Sequence, residues 1–285
     1  MNNGYYSIGK FSILPPVVKN IIIINVLMFM ATIAMQKFNI DLYTLLGLHY
    51  FESSLFYPYQ FITYMFMHGN IGHLFFNMFA LWMFGSVIEN YWGAKRFLLY
   101  YILTGIGAAL THYGVLAWEL IPDLKYINAC IVNPDVETLN NLIANHQFMI
   151  DFENNTMKEG FERFKENVIL LQNGIDVANA KSYINSYLLE YKDAYISHAN
   201  IVGASGSVFG LLLAYGMMFP NTLIYLYFFI PIKAKWFVLA YGAIELFYGI
   251  SGTADGIAHF AHLGGMIFGL ILILYWRKQA RKNYY

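Results

Sequence analysis

The chain reads as an all-α, polytopic membrane protein: a six-helix bundle carrying a helical insertion on its outer, extracytosolic face. Three observations predict this. Of 285 residues, 58% are hydrophobic and 12% charged, against about 25% charged in a typical soluble domain. Six apolar stretches, about 18–35, 61–88, 97–117, 201–219, 236–250 and 257–276, approach the roughly 20 residues that a bilayer span needs. If the six alternate, Lys10, Lys19, Lys95, Arg96, Lys233, Lys235, Arg277, Lys278, Arg281 and Lys282 share one side. Lys and Arg concentrate on the cytosolic side, so both termini are expected there.

The first stretch follows Pro15-Pro16 and Lys19 and has no small-residue cleavage site after it, so a retained anchor is expected. With spans two and three it makes up residues 1–117. Residues 118–200 change character. From Glu119 to Asn200 there are 12 acidic and 6 basic residues, too long a segment for a structureless connector. Apolar residues recur at helical spacing in three groups: Val136, Leu139 and Ile143; Phe161, Phe164, Val168 and Leu171; Tyr183, Tyr187 and Tyr191. Asn133-Pro134-Asp135 suits a helix entry. A lobe of about three helices is expected, serving either as a folded surface insertion or as a lid or docking surface. Residues 201–285 then supply spans four to six and a basic cytosolic tail. The apolar run 223–232, closed by Pro231, is expected to be interfacial or part of a longer fifth segment.

Opposite charges cancel, 17 against 17, which leaves no nucleic-acid signature. Cys130 is the one cysteine; it forms no internal disulfide, matches no metal spacing and is expected to be a small packed residue. No cofactor and no metal is expected, and no His-Glu-x-x-His pattern occurs.

Chemistry concentrates at the outer ends of spans two, four and six. Ser205, in Gly203-Ala204-Ser205-Gly206, lies in the first turns of span four. Unpaired amides and the positive helix end gather there, and the flanking glycines admit a peptide backbone. The same small residues, from Gly206 to Gly210, also suit helix packing, and Ser207 is left to packing. Span six carries His259 and His262, in Ala258-His259-Phe260-Ala261-His262-Leu263-Gly264-Gly265. Ionisable groups within a span are candidates for function. Two glycine faces could bring His262 within reach of Ser205 as a base, with His259 as a polar residue at the mouth. No carboxylate is clearly placed to orient His262; Asp255 is expected to cap span six, which leaves a two-residue dyad. Span two offers His73 and Asn77 four residues apart on one helix face, both possible donors, with His68 just before. Interhelical hydrogen bonding is the alternative role for that pair.

His73-x-x-x-Asn77, Gly203-Ala204-Ser205-Gly206 and Ala261-His262-Leu263-Gly264, on spans two, four and six, resemble the signature motifs of the rhomboid family of intramembrane serine proteases. Glu89-Asn90-Tyr91-Trp92-Gly93 resembles that family's turn into span three. The resemblance covers about 58–117 and 200–276. It implies a Ser205 nucleophile and His262 as general base and acid. His73, Asn77 and the Ser205 backbone N–H would form the oxyanion hole, with His68, Phe209, Gly203, Gly206 and His259 in support. Phe209 stands where members often carry a tyrosine stacked on the histidine, so stacking is kept and the hydroxyl lost. The family's Trp-Arg pair is absent from 36–60. Transmembrane proteins would be the substrates, cut in or near their spans, and a multi-pass location in a bacterial inner membrane would suit. A non-catalytic rhomboid-like binding or trafficking factor is the alternative, though such relatives usually lack the serine or histidine.

Overall fold

The computed structural model describes residues 11–146, 148, 155–198, 200–226, 229–251 and 258–282. In order, the elements are α1 (Pro16–Gln36), α2 (Leu42–Leu46), β1 (Leu48–His49), α3 (Gln60–Thr63) with a 3₁₀ turn, α4 (Ile71–Ala80), a π turn (Leu81–Gly85) and α5 (Ser86–Trp92). There follow α6 (Ala94–Val132), α7 (Val136–Asn145), α8 (Asn155–Gln172), α9 (Val177–His198), β2 (Asn200–Ile201) and α10 (Ser205–Met218). The hairpin strands β3 (Leu223–Leu226) and β4 (Ile230–Lys233), then α11 (Ala234–Ser251) and α12 (His259–Lys282), complete the chain. Two units are distinguishable: Met1–Leu48, Pro58–His112 and Ile201–Tyr285 form one, His49–Tyr57 and Tyr113–Asn200 the other.

The first unit is anchored at the start of α1. Pro16 at the first helical position gives up an amide that would be unpaired there. The next two amides are satisfied from α5: the buried Glu89 carboxylate accepts from Val17 N at 2.9 Å and Val18 N at 2.8 Å. The anion also faces the positive end of the helix. Asn90 beside it accepts from Ser12 N at 2.9 Å and donates to Ser12 O at 2.8 Å. Glu89→Gln keeps the shape but turns one acceptor into a donor facing an amide. It is expected to cost about 1–3 kcal/mol, read as a lower midpoint of thermal unfolding in detergent.

Among the described residues, four helical stretches are long and apolar enough to cross a membrane: Pro16–Gln36, Ile71–Trp92, Ala94–Val132 and His259–Arg281. The all-helical polytopic reading holds, with local differences. α10 has 14 residues and starts at Ser205 rather than 201, because Gly203 adopts φ +127°, which no helix contains. It is buried almost all round, as a central helix should be. Leu223–Leu226 and Ile230–Lys233 do not extend span five, which starts at Ala234; they pair as antiparallel strands, with Leu223 opposite Lys233 and Tyr225 opposite Pro231. Alternating branched and aromatic residues favour strands, and a two-stranded ribbon has only edges, where proline is tolerated. α6 passes 117 and runs through Pro122 to Val132. Leu116, Leu120, Leu124, Ile127 and Cys130 are all buried along it, so a helical stripe continues across the proline. Asp255, expected as a cap, lies outside the described residues.

In the second unit, the later turns of α6 and helices α7, α8 and α9 enclose a core of Ile127, Cys130, Leu139, Leu142, Phe164, Val168, Ile184, Tyr187, Leu188 and Tyr191. Asp135 caps α7 by accepting from Thr138 N at 2.9 Å. His146, just beyond α7, sits among the rings of Phe148, Tyr191 and Tyr195. Its Nε2 is 2.7 Å from Tyr191 Oη, and its Nδ1 is 3.4 Å from Asp123 Oδ2. Burial holds its pKa below the ordinary 6.5, with Asp123 pulling the other way. The unfolded chain therefore binds the proton more readily, and the stability this group confers falls as pH drops below about 6.5. Protection factors in α7 and α9, corrected for the intrinsic pH dependence of amide exchange, should fall between neutral and mildly acidic pH, and His146→Gln should flatten that dependence.

Candidate active site

Ser205 is the first residue of α10, at the helix end where amides lack intrahelical partners. Gly203, two residues before it, needs its positive φ, and its amide donates to Tyr64 O at 2.9 Å. The His73 ring lies against it: a Cβ on Gly203 would sit 2.8 Å from His73 Cε1 and 2.9 Å from Nε2. The same Cβ position is 3.6 Å from Ser205 Oγ. His73 and Ser205 thus border one small space around an unsubstituted backbone.

α4 holds His73 there. Asn70 caps the helix by accepting from His73 N at 2.8 Å. Asn77, buried one turn on, donates Nδ2–H to His73 O at 3.0 Å; its second amide hydrogen remains for another acceptor. His68 is buried, its ring edge-on to His73 at 5.0 Å, and among the described residues neither of its ring nitrogens has a hydrogen-bond partner.

α10 and α12 meet at Gly206 and Gly265, where a Cβ on Gly265 would fall onto the Gly206 carbonyl. On its other side Gly206 presses against Ala108 of α6. Ser207 donates to Tyr101 O at 2.7 Å, a packing role as expected. Small residues here serve packing, and packing sets how near the two helices come. Phe209, one turn after Ser205, lies flat on His262, ring centroids 4.2 Å apart and planes 6° apart. Tyr241 of α11 stacks on Phe209 at 5.3 Å. His262 is thereby held beside the first turn of α10. Among the described residues no hydrogen bond joins Ser205 Oγ to His262; such bonds are often long before substrate binds.

The expectation that no carboxylate orients His262 is overturned. Glu245 of α11 is buried, and its Oε2 lies 2.8 Å from His262 Nδ1. The same oxygen is 2.7 Å from His259 Nδ1. His259 is likewise not a polar residue at a mouth: it is buried and stacks on Tyr248 at 5.5 Å. A signal was present, because Glu245 is the one charged residue in the stretch 236–250, and such groups are functional candidates. The ligand atoms of Glu245, His259 and His262 lie within 4.8 Å of one another, so among the described residues this group could also hold a metal ion.

Helices that cross a membrane, with a serine at an internal helix start and histidines brought beside it from two others, define a polytopic membrane protein with a polar centre. The Rhomboid domain family model matches residues 56–119 and 140–279. The chain belongs to the rhomboid family. Over 58 residues it is 43% identical to Rhomboid-like protein 11, chloroplastic, of Arabidopsis thaliana, covering 20% of this chain and 21% of that protein. Over 55 residues it is 36% identical to Rhomboid protease GluP of Bacillus subtilis (strain 168), covering 19% of this chain and 11% of that protein. The matches thus span about a fifth and a tenth of those relatives.

Proposed function

We propose that this chain is an intramembrane serine endopeptidase that hydrolyses peptide bonds in or near transmembrane segments of other membrane proteins. The observation that carries the reading is the Phe209–His262 stack at 4.2 Å, one helical turn from Ser205. Family membership and the name of the Bacillus relative support it. His262 takes the hydroxyl proton as Ser205 Oγ attacks the scissile carbonyl. The imidazolium then protonates the leaving amine, and water, deprotonated by the same ring, releases the acyl group. His73, Asn77 and the Ser205 N–H would hold the oxyanion. Losing one such donor typically costs about 10²–10³ in rate. A spanning substrate must unwind before attack, since its helical carbonyls are already paired. The basic residues flanking the spans support cytosolic termini, with 118–200 on the opposite face.

The test is covalent labelling. Detergent-solubilised protein treated with a fluorophosphonate should gain one adduct, mapped by peptide mass spectrometry to Ser205. An adduct elsewhere, or none from protein that cleaves a transmembrane substrate, ends the serine mechanism. Absence of both labelling and cleavage favours the non-catalytic binding role.

A further inference from the structure

We propose that Glu245 is the positioning residue for His262, so that the reacting group is a Ser205–His262–Glu245 triad; this rests on the protease reading above. Two restraints meet on the His262 ring. The Phe209 stack, with planes 6° apart, fixes the plane of the imidazole. The 2.8 Å bond from Nδ1 to Glu245 Oε2 fixes its rotation within that plane. An ionised carboxylate only accepts hydrogen bonds, so the proton must sit on Nδ1. The lone pair is then on Nε2, the nitrogen left to receive the Ser205 proton. When that proton transfers, the ring becomes a cation beside a buried anion, an arrangement that stabilises the charge where little water screens it.

His259 completes the arrangement from the other side. Its Nδ1 lies 2.7 Å from the same Oε2, and its ring stacks on Tyr248 of α11. The carboxylate is held between two imidazoles of one helix and cannot swing away without unpairing both. A purely structural need, filling space and pairing buried nitrogens, could be met by an amide. An amide can donate as well as accept, so only the anion both excludes the other tautomer and balances the imidazolium.

The experiment measures kcat and KM for a transmembrane substrate in proteoliposomes, using wild type, Glu245→Gln, Glu245→Leu and Ser205→Ala. Both Glu245 variants should lose about 10²- to 10⁴-fold in kcat with KM changed by less than about threefold. Their thermal unfolding should show that they remain folded. A folded Glu245 variant whose kcat stays within about threefold of wild type overturns the proposal. If neither variant folds, Glu245 is a structural residue and the proposal also falls. If a chelator abolishes wild-type cleavage, the cluster belongs to a metal ion instead. Failure of the protease reading looks different: wild type would not cleave, or Ser205→Ala would cleave as well as wild type, and the triad would fall with it.

Discussion

Ser205→Ala is expected to reduce cleavage of a transmembrane substrate by about 10⁵- to 10⁶-fold, below the background of a proteoliposome assay. His262→Ala should do the same, and the double variant should be no worse than either single one. A nucleophile and its base act as one unit, so removing either removes the pathway. Additive losses would mean that the two residues contribute separately. Binding should survive: Ser205→Ala removes one oxygen from a half-buried position at the end of α10. The variant should therefore retain substrate in a pull-down while leaving it uncut. Cleavage within tenfold of wild type by either single variant would sink the mechanism.

The second large effect needs no catalytic atom. Gly265→Ala places a methyl group on the Gly206 carbonyl, and backbone cannot rotate away as a side chain can. α12 must move back from α10, carrying His262 away from Ser205. Overpacking of this kind costs about 1–3 kcal/mol or more. Displacing the base by about 1 Å costs about 10² in rate. Gly242→Ala is the control, since its added Cβ would meet only the flexible end of Met266 at 3.3 Å. The expected result is a sharp loss of activity and a lowered unfolding midpoint for Gly265→Ala, with Gly242→Ala close to wild type. If Gly265→Ala is as active as wild type, the helix approach does not set the reaction distance.

What could be read from residues alone was whatever is local in the chain. Ser205 between glycines, His73 and Asn77 on one helix face, and His262 with its glycines are each short patterns on one element. The apolar runs and the helical spacing of the insertion are local too. Glu245 was missed because its role depends on which turn of α11 faces which turn of α12, and spacing within either helix does not state that. His259 was misjudged for the same reason, since its partner is on another helix. The pairing of Leu223–Leu226 with Ile230–Lys233 was hidden by composition, since a short apolar run serves a strand or a helix equally well. Span three was bounded at 117, where the composition changes; that the helix itself runs on to Val132 shows in the buried stripe that continues past Pro122.

The π turn at Leu81–Gly85 has a consequence for how one rod can serve two ends. Asn77 and Glu89 are separated by twelve positions, which in an unbroken α-helix leaves them about 120° apart around the axis. One wide turn absorbs an additional residue and brings the difference back to about 20°. The same side of the rod therefore looks inward at both levels, toward the candidate cleft at one end and toward the α1 amides at the other. Closing the wide turn while keeping every residue would put the two ends out of phase, as a wrench slipped by one notch does.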